Sequence, residues 1–104
     1  MFTVITLYHF TKFSNPDSLR PSLLEICKSN NVRGTILIAT EGINGTIAGS
    51  DTSISKVITH IKNIPNCNNI KLKKSFATSM PFARLKVRLK REIVTMGQPE
   101  VNPI

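Results

Sequence analysis

The sequence predicts an α+β domain of the ferredoxin-like, split βαβ kind: an antiparallel sheet with two helices on one face, plus one additional strand. Three observations carry that expectation. Stretches rich in β-branched and aromatic residues alternate with two stretches of helical apolar spacing, in the order β-α-β-β-α-β with a further β at the end. Each helical stretch is apolar along one stripe only, so it needs cover on one side and water on the other. The length of 104 residues suits one domain with one real core.

The first strand is expected over Phe2 to Tyr8. Both of its faces are partly apolar, so either Phe2 and Val4 or Ile5 and Leu7 pack under the helices, and the strand should be central. Asn15-Pro16-Asp17 supplies a polar cap and an early proline, and Leu19, Leu23, Ile26 and Cys27 then repeat at helical spacing as far as Asn30-Asn31. Arg33 to Ala39 reads as the second strand and Gly45 to Gly49 as the third. Ser50 or Asp51 caps the next helix, whose stripe is Ile54, Val57, Ile58, Ile61 and Ile64; Pro65 and an Asn-rich loop stop it. Ile70 to Phe76 and Arg84 to Lys90 complete the pattern as two more strands, joined by Thr78 to Ala83.

Forty per cent hydrophobic and 19% charged residues make the chain globular rather than disordered, and no run approaches the ~18 apolar residues of a membrane span. The opening MFTVITLYHF lacks the basic flank and small-residue cleavage site of a signal peptide. With no such membrane span, no membrane partner is expected; Cys27 and Cys67 form no CxxC or zinc pattern, so no metal is expected and the chain reads as a reduced, cytoplasmic protein. A single disulfide between them stays open at this point. Cys27 falls on the apolar side of its helix, where a thiol fills core.

The net charge of +8 is concentrated. Lys71, Lys73, Lys74, Arg84, Lys86, Arg88, Lys90 and Arg91 occur with no acid among them, while cations and acids balance over the rest of the chain. Such asymmetry points first to an anionic partner, nucleic acid or phospholipid, and second to solubility.

The stretch TEGINGTIAG, residues 40 to 49, is a turn with additional features. Asn44-Gly45 can supply the positive-φ pair of a hairpin, and Gly42 lets a longer loop bend. Glu41 is the odd member. Its carboxylate is expected to accept hydrogen bonds within the loop or to pair with a cation such as Arg84; a role as general base lacks a companion, since neither His9 nor His60 is placed to complete an acid-base pair. His60 lies off the apolar stripe and reads as a solvated imidazole.

TEGINGTIAG together with PFARLKVRLKREIVTMG, residues 81 to 97, resembles the N-terminal part of the rhodanese-fold tRNA uridine hydroxylase family, and the resemblance covers essentially the whole chain. It implies an acylphosphatase-like or ferredoxin-like domain over residues 1–95. Residues 96–104 would then open a connector toward a rhodanese domain, in cis or in trans, whose cysteine serves oxygen-dependent conversion of wobble uridine to 5-hydroxyuridine in tRNA. No residue here matches that cysteine, so the chain alone is expected to be inactive, with no catalytic residue and no cofactor of its own.

The leading expectation is a tRNA-binding or substrate-positioning module. Arg84, Lys86, Arg88 and Lys90 alternate with Leu85, Val87 and Leu89, placing four cations on one face at about 6.6 Å intervals; with Lys71 and Lys73 they are the candidate RNA-binding residues. Glu41, Gly42, Asn44 and Gly45 are the candidate structural motif. The face that carries these cations is expected to lack the interleaved aromatics that stack bases, so binding would be led by phosphate contacts and be weakly sequence-specific. The same row could instead protect a sheet edge from pairing with other chains. Acylphosphatase chemistry needs an arginine in an anion-cradling loop, and Tyr8 to Asn15 has none. Phe76, Met80 and Phe82 are a candidate apolar patch for a protein-protein or intramolecular scaffold role.

Overall fold

The computed structural model describes residues 1–90. Arg91, the domain boundary expected at residue 95 and the connector expected over 96–104 lie outside them. The elements run β1 (Phe2–Phe10), α1 (Leu19–Ser29), β2 (Arg33–Ala39), β3 (Gly42–Gly49), α2 (Asp51–Lys62), β4 (Lys71–Ala77) and β5 (Leu85–Leu89), with a single 3₁₀ turn, Pro16–Ser18, leading into α1.

These strands form one five-stranded sheet in the order β4-β1-β3-β2-β5. The first four strands pair antiparallel, which is the split βαβ arrangement. The additional strand departs from the expected antiparallel sheet: β5 lies parallel to β2, with Ile36 opposite Val87, and the sheet is mixed. β5 follows β4 in the chain yet lies at the opposite edge, so residues 78–84 carry the chain from one edge of the sheet to the other.

Both helices cover the same face. Leu23 and Cys27 of α1 and Ile54, Val57 and Ile61 of α2 are buried against Ile5, Leu7, Ile36, Ile43 and Ile47 of the sheet. Fully burying such a side chain contributes roughly 1.5 to 3 kcal/mol, so this single layer of apolar contacts stabilises the fold. Of the two alternatives for β1, the inward set is Ile5 and Leu7, joined by Thr3, while Val4, Thr6 and Tyr8 point to the opposite face.

Local chemistry fixes the ends of the helices. Ser50 rather than Asp51 caps α2, its hydroxyl accepting the Ser53 N–H at 3.1 Å. Asn15 makes no side-chain cap; the 3₁₀ turn stands between it and α1. At the other end of α1, Asn31 adopts a left-handed φ of 57° and Val32 N–H closes on the Cys27 carbonyl at 2.9 Å.

Candidate nucleic-acid interface

The face of the sheet away from the helices is built by strand alternation. Following partners across all five strands gives one row Lys71–Tyr8–Asn44–Leu37–Arg88 and a second row Lys73–Thr6–Thr46–Thr35–Lys86. Each row therefore begins and ends with a cation. Neighbouring strands stand about 4.8 Å apart, so the two cationic edges are separated by roughly 19 Å of mostly polar surface. None of the five strands contains an Asp or Glu. In the second row the Thr6 and Thr46 hydroxyls lie 3.3 Å apart.

Lys86 and Arg88 lie within β5, while Arg84 and Lys90 flank it, and all four are exposed. Backbone hydrogen bonds hold both flanks: Gly34 N–H donates to the Arg84 carbonyl at 3.0 Å, and Lys90 N–H to the Ile38 carbonyl at 2.7 Å. The strand is anchored from the helix side by Arg20 of α1, whose Nε donates to the Val87 carbonyl at 2.6 Å. Lys71 and Lys73 of β4 are exposed on the open face. Lys74 belongs to the other face, where its Nζ lies 3.4 Å from Asp51 Oδ1 and 5.6 Å from the centre of the Phe76 ring. Thr3 donates to the same Asp51 oxygen at 3.2 Å.

Aromatic side chains are present on this surface, contrary to the expectation that the cationic face lacks them. β1 runs on to Phe10, two residues past its expected end. Tyr8 and Phe10 project from the open face with 49% and 69% of their surfaces exposed. Their ring centres are 6.2 Å apart at an interplanar angle of 64°, an edge-to-face pair. The signal for them was the parity of β1: once Ile5 and Leu7 face the helices, Tyr8 and Phe10 must face away. The expected cluster of Phe76, Met80 and Phe82 is split, because Phe76 sits on edge strand β4 facing the helix side, whereas Phe82 lines a hollow with Thr35, Arg84 and Lys86 at the other edge.

The EGINGT stretch also differs from its expectation. Asn44 and Gly45 are not turn residues; they lie inside β3, opposite Leu37 and Ile36, and neither has positive φ. The hairpin turn is Thr40-Glu41, and β3 begins at Gly42. Two-strand pairing thus outweighs the local turn preference of Asn-Gly. The glycines serve close approach. A Cβ on Gly45 would collide with the Thr35 carbonyl oxygen and sit 2.9 Å from Ile36 Cα; one on Gly42, whose φ is 152°, would collide with the His9 carbonyl oxygen. Glu41 is at the opposite end of β2 from Arg84, so the suggested pairing of those two does not form. The turn instead holds the loop after β1, with the Glu41 carbonyl accepting Thr11 N–H at 3.1 Å and the Thr40 carbonyl accepting Phe13 N–H at 2.8 Å.

The remaining reactive side chains lie away from this face. His9 Nε2 is 2.6 Å from the Asn66 carbonyl oxygen. His60 is not the solvated imidazole its helical position suggested: its Nε2 is buried and has no hydrogen-bond partner among the described residues. Cys27 and Cys67 are both buried and free, which settles the open disulfide question; burial pushes the Cys27 thiol up to about 11 and raises that of Cys67 as well. Among the described residues no cluster of His, Cys, Asp or Glu could hold a metal ion, and no helix is long and apolar enough to cross a membrane.

Residues 2–93 match the family model described as the UPF0176 acylphosphatase-like domain. The chain is 50% identical over 103 residues to a tRNA uridine(34) hydroxylase of Roseobacter denitrificans, covering 99% of the chain and 35% of that protein. It is 53% identical over 103 residues to the tRNA uridine(34) hydroxylase of a Jannaschia species, covering 99% of the chain and 34% of that protein. The chain thus spans about a third of the length of these relatives. Among solved structures it is similar in fold to an acylphosphatase from Coxiella burnetii, with a TM-score of 0.65 and 13% identity over 84% of the chain and 93% of that structure.

Proposed function

The chain belongs to the UPF0176 acylphosphatase-like domain family, and we propose that it is a tRNA-holding module that positions a substrate tRNA for hydroxylation of a wobble uridine by a rhodanese domain, in cis or in trans. One observation carries this reading: the open sheet face bears cations at both ends of two cross-strand rows, and among the described residues no strand carries an acid. A polyanion lying across the sheet meets Lys71 or Lys73 at one edge and Lys86 or Arg88 at the other. The Arg and Lys contacts fix orientation on the phosphate backbone without reading sequence. Relatives of the chain are tRNA uridine(34) hydroxylases, which supplies the class of RNA.

Turnover of an acyl phosphate, which the fold alone would permit, finds no support in the loop after β1. Thr11 and Phe13 already donate their N–H groups to the Glu41 and Thr40 carbonyls, and residues 11–15 include no arginine. A shared fold does not carry the chemistry with it.

Edge protection is the second reading, favoured by the fact that β4 and β5 are the two outer strands of the sheet. Titrating tRNA into the protein at three salt concentrations separates the two. Holding through two to four phosphates gives a log affinity that falls with log salt at about 0.7 to 0.9 per contact. Replacing Lys86 and Arg88 together by Ser then flattens the slope by about one to two units. Edge protection predicts an unaltered slope and a rise in solution mass for the same double variant.

A further inference from the structure

We infer that Tyr8 and Phe10 form a stacking platform for an unpaired nucleobase, so that the open face takes a single-stranded segment of RNA rather than the side of a duplex. The inference rests on the tRNA-holding reading and adds the kind of RNA segment that the face accepts.

Four features of the face lead to it. Both rings stand on β1, where pairing holds the backbone: Tyr8 lies between Asn44 of β3 and Lys71 of β4, and Phe10 pairs with Gly42 of β3. Both are largely exposed, although neither is needed to complete the core on the other face. Their edge-to-face contact at 6.2 Å fixes one ring against the other and leaves ring surface open to a planar guest. Position then couples ring to charge. Lys71 is the direct cross-strand partner of Tyr8, and such pairs hold their Cβ atoms about 4.5 to 5.5 Å apart, so a base stacked on the Tyr8 ring has its own phosphate within reach of an ammonium group. On the other side of Tyr8 the partner is Asn44, an amide with both a donor and acceptor for a base edge.

Charge complementarity names the occupant. A hydrophobic protein segment would be content with the rings but has no use for Lys71 and Lys73 on the neighbouring strand or for Lys86 and Arg88 at the far edge of the same face, whereas phosphate-linked bases use both. A regular A-form duplex keeps its bases stacked on each other and offers no free π-face. The segment is therefore an unpaired one, as in a tRNA loop.

The test uses the chain's only tyrosine as its reporter, since there is no tryptophan to compete. Heptauridylate is titrated into the protein at low salt while tyrosine emission is followed, with a duplex RNA of equal length as control. Stacking predicts saturable quenching by the single strand and little by the duplex. Tyr8→Leu and Tyr8→Phe lack that reporter, so their affinities, with the parent's, are read from the anisotropy of a fluorescein-labelled heptauridylate: Tyr8→Leu should weaken binding about 5- to 100-fold with the salt slope unchanged, because no charge is removed, and Tyr8→Phe should bind within about twofold of the parent. Phe10→Leu provides a second ring deletion in the event that Tyr8→Leu melts early. Steep salt-dependent binding with no quenching and no loss in either Leu variant would overturn stacking and leave the phosphate-led reading standing. No binding of heptauridylate or tRNA at any salt concentration would remove both.

Discussion

Lys73 of β4 and Lys86 of β5 close the two ends of a single cross-strand row, with Thr6, Thr46 and Thr35 between them. The two ammonium groups sit on opposite edges of the sheet but on the same face. At roughly 19 Å, they are more than two Debye lengths apart at physiological salt, about 8 Å each, so neither affects the other through solvent.

That separation makes a quantitative prediction for RNA binding. Lys73→Ser and Lys86→Ser should each flatten the plot of log affinity against log salt by about 0.7 to 0.9 units, and the double variant by the sum. Additivity means one RNA spans both edges. If Lys73→Ser left the slope unchanged while Lys86→Ser altered it, the RNA would follow β5 alone.

A second prediction separates close approach from turn chemistry in EGINGT. Gly45→Ala places a Cβ against the Thr35 carbonyl in the middle of a paired strand, and overpacking of that kind costs about 1 to 3 kcal/mol. For a domain of this size the melting temperature should fall by about 4 °C or more. Asn44→Ala should shift it little, because Asn44 has ordinary strand φ and its side chain points to the open face. Equal losses in the two variants, measured by thermal melting, would return the pair to a turn.

The N-cap of α2 gives a third. Ser50→Ala removes the acceptor for the Ser53 N–H and should cost about 1 kcal/mol, and Ser50→Asp should restore most of it. Chemical denaturation of the three proteins reads this directly; a null result for Ser50→Ala would mean that the N–H is satisfied by water.

Much of this architecture was legible in the residues. The stripes Leu19, Leu23, Cys27 and Ile54, Val57, Ile61 identified both helices because amphipathic spacing has one interpretation at that length. The choice between Phe2 with Val4 and Ile5 with Leu7 is open in the sequence, since both faces of β1 carry apolar side chains and a period of two cannot say which face meets the helices. That ambiguity hid Tyr8 and Phe10. The Asn44-Gly45 pair misled for a different reason: its turn preference is local, and pairing of β3 with strands on both sides outweighs it. The parallel placing of β5 had no local signal at all, because it depends on where residues 78–84 carry the chain.

The last prediction concerns Cys27, which is wholly buried between α1 and the sheet. Burial disfavours its thiolate and moves the thiol from an ordinary 9.0 to about 11. The unfolded chain therefore loses this proton before the folded one does. Stability from this group is fully present below pH 9, declines as pH rises through the interval from 9 toward about 11, and levels off above it. The slope contributed cannot exceed about 1.4 kcal/mol per pH unit. The measurement is a difference, which isolates the one thiol: denaturant midpoints of the parent and of Cys27→Ala at pH 7, 9 and 10.5. The variant should be less stable at pH 7, because it leaves a cavity, and the gap between the two proteins should narrow as pH rises. The same burial makes both thiols slow toward a disulfide reagent at pH 8 in the folded protein, with labelling at the rate of opening. A constant gap across the pH series, or immediate labelling of two thiols, would show that Cys27 reaches solvent in the folded state.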